Sequence, residues 1–204
     1  MSWSSPAHAD PRRLIVLAAK TSQGKLSQDT LSYYLRDYPE KDVCGWILES
    51  VNFPSVLEHI SFTFLIEGIS RVTSHQLVRH RIASYTQESQ RYIEVKCEYI
   101  VPESVRTSGF EERFREVVEN SFKLYAEMVK AGVPIEDARY ILSQAVTTKI
   151  LMTVNLRELL HIACLRLSEK AQWEIRELVR RMVEEASKVV PEINDLLRAS
   201  CSEK

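Results

Sequence analysis

Arg79, His80 and Arg81 place three potential cations side by side, and Arg91 adds a fourth a short reach downstream. Ser84, Thr86, Gln87, Ser89 and Gln90 intersperse neutral polar groups. This mixture suits phosphate, because a guanidinium is a rigid fork matching two phosphate oxygens while hydroxyls and amides fill the remaining positions. Each hydrogen bond to a charged group contributes about 1.5–3 kcal/mol, so several could hold a nucleotide dianion without a glycine-rich loop. Neighbours alternate sides in an extended chain, so the three consecutive cations cannot all face one ligand. The spacing predicts two anions, one on each side. The competing reading is a solvated basic turn with its charges paired to surface carboxylates. Position after an apolar strand and helix, where functional loops sit on a rigid scaffold, favours the first reading.

Other chemistries lack their signatures. His75 and His80 are five apart, wrong for an i, i+4 metal pair, so no metal is expected. Ser89 and His80 lack the elbow and acidic orienter of a hydrolase. His59, at the start of a strand, reads as a satisfied structural histidine. With only five glycines and no GxGxxG or GxxxxGK[ST], a nucleotide must be held by other means. Acidic and basic residues nearly cancel, 28 against 27, so bulk charge predicts neither a nucleic-acid partner nor a membrane surface. A platform of Arg79, Arg81, Arg91 and Tyr92 for nucleic acid is the rival, without an RRM, KH or zinc signature. Cys44, Cys97, Cys164 and Cys201 fit no metal spacing and read as reduced thiols of a cytoplasmic protein. Residues 1–11 read as a flexible tail without a secretory core, and 12–204 as a single domain.

The elements that must position these residues are of two kinds. Leu14 to Ala19 reads as a buried strand, and Leu31 to Leu35 and Val43 to Val51 as short helices. Ile60, Phe62, Phe64 and Ile66 alternate with polar positions, which predicts a strand of a half-buried sheet. Val72 to Arg79 reads as a short helix, the segment through Arg91 as a structured loop, and Tyr92 to Val101 as a strand. Ser108 with Glu111 forms a capping box for a helix with Phe114, Val117, Val118, Phe122, Tyr125, Met128 and Val129 on one face, ended by Gly132 and Pro134. Further helices are expected from Pro134 through Arg139 towards Lys149, from Asn155 to Arg166, and from Glu169 to Val190. Asn155 can cap its helix, and Trp173 reads as core. The class is α+β, a sheet in the N-terminal half packed with long helices from the C-terminal half.

"RHRIASYTQESQR" matches the RHR-x7-S signature of the flavin-dependent thymidylate synthases, with Arg79, His80, Arg81 and Ser89 in register. "SVLEH" at Ser55 to His59, "GISR" at Gly68 to Arg71 and "SHQLVRHR" resemble the family too. So do "GVP" before Ala138 and Arg139, "TVNLREL" at Thr153 to Leu159, Arg166, and "AQWEI" at Ala171 to Ile175. The chain departs from the pattern at Phe53, where histidine is common, at Gln87, where many members have glutamate, and at Lys20, where arginine is usual. The resemblance implies reductive methylation of dUMP to dTMP without a cysteine nucleophile. Methylenetetrahydrofolate would give the carbon and NADPH would reduce bound FAD, in a homotetramer with shared active sites. By position, Ser55, Arg79, His80, Arg81, Gln87, Asn155, Arg157 and His161 would contact FAD. Gln76, Arg79, Gln87, Glu88, Ser89, Gln90, Arg91, Arg139 and Arg166 would surround dUMP. Arg166 and Ser89 would carry the catalytic roles, Arg166 lying against the pyrimidine.

Overall fold

The structure is a computed structural model that describes residues 10–26 and 31–201; most of the tail expected at 1–11 lies outside them. The chain opens with helix α1 (Arg13–Ser22), where a strand was expected. Its buried Ile15, Val16 and Ala19 follow helical spacing, and its apolar run is too short for periodicity to separate a strand from a helix. A wide π turn at Tyr33–Asp37, helix α2 (Glu40–Glu49) and 3₁₀ turns at Ser50–Asn52 and Pro54–His59 follow.

Strand β1 (Ser61–Ser70) buries Phe62, Phe64 and Ile66 as the alternation predicts. The alternation slips at Gly68, whose φ of 70° is a backbone conformation that a side chain would strain. Ser70 accepts a hydrogen bond from the Thr73 amide and caps helix α3 (Arg71–Leu77). Strand β2 (Ala83–Gln87) then forms inside the segment expected to be a loop, and the Tyr85 hydroxyl donates to the Leu77 carbonyl. Tyr92 to Val101 is not a strand. It holds one isolated antiparallel bridge, Tyr99 to Val146.

Helices α4 (Glu103–Thr107) and α5 (Glu111–Lys130) follow. The expected capping box is absent: Ser108 donates to the Val105 carbonyl, and Phe110 occupies the cap position without a side-chain bond. Gly132 ends the helix with a φ of 91°, as expected. Helix α6 (Ile135–Ala138) stops early at a 3₁₀ turn, Arg139–Ile141. Strand β3 (Thr147–Asn155) takes the place of the expected helical continuation, burying Thr148, Ile150, Met152 and Val154. The run Ile150, Leu151, Met152 hides that period of two, because exposed Leu151 is as apolar as its buried neighbours.

β3 is the middle strand of the order β1-β3-β2, so the sheet takes a strand from the C-terminal half of the chain. Thr63 faces Thr153 at 3.0 Å and Glu67 faces Lys149 at 2.9 Å, which fixes the antiparallel register. The last helices are α7 (Leu156–Arg166), α8 (Trp173–Ser187) and α9 (Ile193–Cys201). Trp173 is exposed in the first turn of α8, off the buried stripe of Ile175, Leu178, Val179 and Met182. No described helix is long and apolar enough to cross a membrane.

Backbone contacts divide the chain into two compact units, and β1, β2 and β3 each contribute residues to both. The first holds residues up to Phe64, His80–Ser84 and Met152 onward. Within it α7 packs against α8, α9 and the Pro54–His59 turn, around Leu57, Leu159, Ile162 and Ile175. The second holds Leu65–Arg79 and Tyr85–Leu151, with Val118, Phe122 and Val146 at the centre of its cluster. Cys164 and Cys201 form a disulfide in the first unit, contrary to the expectation of reduced thiols. The packing of α7 on α9 brings their Cα atoms to 5.4 Å, within disulfide range, although 37 positions separate them.

Candidate functional site

In the first unit the candidate residues gather on α7. Asn155 caps this helix, its Oδ1 accepting from the Glu158 amide at 2.9 Å, as expected. His80 is 6% exposed, whereas Arg79 and Arg81 beside it are exposed. Alternation therefore sets the imidazole apart from the two guanidiniums, and the expected second anion side is the protein interior. Arg166 Nε donates to His80 Nε2 at 3.0 Å. A guanidinium has no lone pair to accept with, so Nε2 must be unprotonated and the ring neutral. Electrostatics agree: burial pushes the His80 pKa down to about 4, with the Arg166 and His161 charges adding to the shift. Glu158, 7% exposed, stands 3.8 Å from His80 Nδ1, too far for a direct hydrogen bond. Burial pushes its carboxyl up, against the pull of His161 and Arg157.

Three further flavin candidates lie in this unit. His161 meets the His80 ring edge-on at 6.4 Å, and Arg157 pairs with Glu58. Exposed Ser55 borders a cavity of about 360 Å³ walled by Leu14, Leu17, Ala18 and Val56. His59 borders the same cavity and is exposed, so it is no buried structural histidine.

In the second unit the loop after β2 is organised by its own polar groups. Gln87 turns inward and its Nε2 donates to Ser74 and Thr148 at 3.0 and 3.1 Å, leaving only its carbonyl for a ligand. The Ser89 hydroxyl accepts from the Arg91 amide at 3.3 Å, and its carbonyl receives the amides of Tyr92 and Ile93. Glu88, Ser89 and Gln90 line a cavity of about 160 Å³ together with Gly68 and Thr148. Arg91 pairs with the Glu136 carboxylate at 2.9 Å and Arg139 donates to the Glu136 carbonyl at 3.0 Å, so these two cations share one anchor. Gln76 is half-buried at the end of α3.

Arg71 is a further candidate that the sequence alone does not single out. Its Nη1 is buried without a hydrogen-bond partner among the described residues. Burial and the Arg139 charge lower its pKa against the pull of Glu88. A guanidinium in that state gains from an anion. Its sequence signal was an arginine directly after an apolar strand, in "GISR". Glu158 gave a weaker signal, since an acidic residue in a first helical turn is usually mere capping. Arg79 and Arg81 carry no ion pair among the described residues, which removes the salt-bridge version of the basic turn for these two, although Arg91 fits it. No described cluster of histidines, cysteines and carboxylates could hold a metal ion.

The comparisons with known proteins converge. The profile of the thymidylate synthase complementing protein family matches residues 6–192. A flavin-dependent thymidylate synthase of Pyrococcus furiosus is 54% identical over 140 residues, 66% of this chain and 57% of that protein. The chain thus spans little more than half the length of this relative. Flavin-dependent thymidylate synthases of Sulfurisphaera tokodaii and Geobacter sulfurreducens are 39% and 44% identical over 94% and 90% of the chain, covering 75% and 81% of their own lengths. A crystal structure of a UMP/dUMP methylase, PolB, from Streptomyces cacaoi, bound with 5-Br dUMP, shares the fold, with a TM-score of 0.77 and 24% identity over 89% of this chain and 87% of that one. With its RHR-x7-S segment in register and its profile match running from residue 6 to 192, the chain belongs to the thymidylate synthase complementing protein family.

Proposed function

We propose that this chain is a flavin-dependent thymidylate synthase, an enzyme that methylates dUMP to dTMP in the cytoplasm. Methylenetetrahydrofolate gives the carbon, and NADPH gives the reducing equivalents through FAD. The observation that carries this reading is Arg166: its Nε rests on neutral His80, and its terminal nitrogens have no protein partner among the described residues. Carbon 5 of uracil must attack an electrophilic one-carbon unit, so the ring has to be held in an electron-rich form, with negative charge shared between N3 and the carbonyls. A guanidinium fixed beforehand stabilises that charge without moving a proton.

The remaining assignments follow the chemistry of each group. Arg71, Arg91 and Arg139 with the Ser89 turn take the dUMP phosphate, which would satisfy the orphaned Arg71 Nη1. Gln76, Arg79, Glu88 and Gln90 complete that set, and Gln87 contributes its carbonyl. FAD suits the flavin candidates, because Arg79 and Arg81 have no counter-ion among the described residues and can neutralise a pyrophosphate. Ser55, His80, Asn155, Arg157 and His161 add donors and ring surfaces, and the cofactor, when bound, supplies the redox chemistry. No cysteine nucleophile is needed. Cys44 donates to Glu192, a bond that raises its pKa; Cys97 is exposed, and slight desolvation with the Glu119 charge raises its pKa; and Cys164 and Cys201 are bonded to each other. A thiol held protonated is a poor nucleophile.

Subunit sharing belongs to the same reading. Ligand sites usually measure about 300–1,000 Å³, and the cavity beside Ser89 falls short of that at about 160 Å³, so a homotetramer would complete it. The test is dTMP formation from dUMP with NADPH, methylenetetrahydrofolate and FAD, each omitted in turn. A yellow protein that needs all three supports the reading, and turnover without flavin overturns it.

A further inference from the structure

Helix α5 carries more apolar residues than its own unit buries. Val118, Phe122 and Tyr125 face inward, the first two packing with Val146 in the core of the second unit. Phe110 at the cap, Val117 and Leu124 stand seven positions apart and are 59%, 63% and 43% exposed. Half-buried Phe114, Ser121 and Met128 fall between them, so the steps along the stripe run 4, 3, 4, 3 and 4. That alternation is the seam of a two-helix coiled coil, in which a and d positions recur every heptad. At 3.6 residues per turn the stripe lies roughly a quarter turn from the buried face. A contiguous apolar stripe of this kind marks a contact surface.

The stripe borders a groove of about 550 Å³ walled by Phe110, Arg113, Phe114, Val117 and Ile141, room for an incoming side chain. Ser121, the polar member of the seam, donates its hydroxyl to the Val118 carbonyl at 2.6 Å, so covering it leaves no donor unmatched. The charges alongside name the occupant. With Phe114, Ser121 and Met128 at a, and Phe110, Val117 and Leu124 at d, the g positions are Arg113, Asn120 and Glu127. Arg115 pairs with Glu111 on the same helix, but Arg113 and Glu127 carry no ion pair among the described residues. Against an antiparallel copy, Phe110 meets Met128, Phe114 meets Leu124 and Val117 meets Ser121. The same register sets Asn120 against its own copy and Arg113 against Glu127, once on each side of the twofold axis. In a parallel pair g would face e, and Val118 and Tyr125 at e are buried, leaving both charges unmatched. The surface is complementary to itself, as a twofold contact requires.

We propose that the exposed stripe of α5 is an interface with a second copy of this chain, the two helices antiparallel about a twofold axis beside Asn120. Leu124 of the partner subunit then meets Phe114 at the groove, and Arg113 pairs with Glu127 of the partner subunit. The interface gives a surface to the assembly in the proposed function, but uses none of its ligand assignments, so either can fail alone.

The test is the mass of the full-length protein by sedimentation, without substrate. The parent should be an even-numbered assembly. Val117→Glu changes an exposed position and should keep the parent's circular dichroism, yet sediment at half the parent mass, because it brings two carboxylates into an apolar seam. Arg113→Glu and Glu127→Arg should each raise the dissociation constant of the contact by about 10-fold, since each sets like charges together twice. The double variant Arg113→Glu with Glu127→Arg should return to the parent's behaviour. Should Val117→Glu fail to fold, the charge reversals still decide the matter. A monomeric parent, whose stripe would then belong to a different partner, overturns the proposal. So does an assembly that withstands Val117→Glu, or a double variant no better than the single ones. An assembly that depends on the stripe in a protein that makes no dTMP overturns the proposed function and leaves the interface standing.

Discussion

The arginines of the two units are held in opposite ways. On α7, Arg166 leans on a buried neutral ring, and its neighbours His80 and Glu158 are both shifted by burial towards their uncharged forms. Around the Ser89 turn, Arg91 is half exposed and anchored to a half-exposed carboxylate, and Arg71 is partly sunk with one nitrogen unmatched. The first arrangement suits a charge that must stay put while a transition state forms, because its supports are desolvated and rigid. The second suits a ligand that arrives and leaves, since a surface ion pair contributes only about 0–1 kcal/mol and exchanges readily for phosphate. Charge count alone would not separate them. Burial of the partner does.

The largest effect should come from the buried arrangement. Arg166→Ala is expected to lower single-turnover dTMP formation by about 100–1,000-fold while flavin content, read from absorbance, stays near that of the parent. Equal loss of flavin and turnover would place Arg166 with the cofactor instead. Next is the staple in that unit. Removing the Cys164–Cys201 bond by Cys201→Ser closes 37 fewer positions into a loop and should cost roughly 3–4 kcal/mol. Melting curves with and without reductant check this, since a parent insensitive to reductant would show that the bond does not form in solution.

His80 gives the pH dependence of the same region. Its folded pKa of about 4 lies below the ordinary 6.5, so on acidification the unfolded chain takes up the proton first. The stability from neutral His80 is complete above pH 6.5, and falls by at most roughly 3 kcal/mol as pH drops towards 4. Glu158 has the opposite sign: its raised pKa makes burial of its charge cost stability as pH rises above its usual range. Melting of the parent and His80→Gln between pH 4 and 7 should converge at the acid end.

For the arrangement around the Ser89 turn, Arg71→Ala is expected to raise KM for dUMP by roughly 10–100-fold, from about 1.5–3 kcal/mol of phosphate contact, with little change in flavin content. A normal KM would remove Arg71 from the phosphate site. The smallest effect is Asn155→Ala, which should cost about 1 kcal/mol as a lost helix cap.

Much of this was legible in order of distance along the chain. The alternation of Phe62, Phe64 and Ile66 and the cap at Asn155 are local, and both stand as read. Elements failed where local signals were ambiguous: Leu14 to Ala19 is too short to show its period, and Leu151 masks the alternation of β3. The Ser108 and Glu111 spacing fits a capping box, yet the turn at Gly109 carries Ser108 to another partner. Residue type and register point to ligand candidates but cannot tell that the amide nitrogen of Gln87 is already committed inward to Ser74 and Thr148.

Residue types and spacing are enough to name the kinds of groups present: a run of guanidiniums, hydroxyls and amides able to bind anions, carried by a family signature with Ser89 in register. Folding settles which of them are committed. Bond formation between Arg166 and His80, closure of Cys164 on Cys201, and desolvation of Glu158 each depend on residues far apart in the chain. Spacing governs only what lies within a turn or a strand. The charge state and orientation of a buried group are set by whatever the fold packs against it.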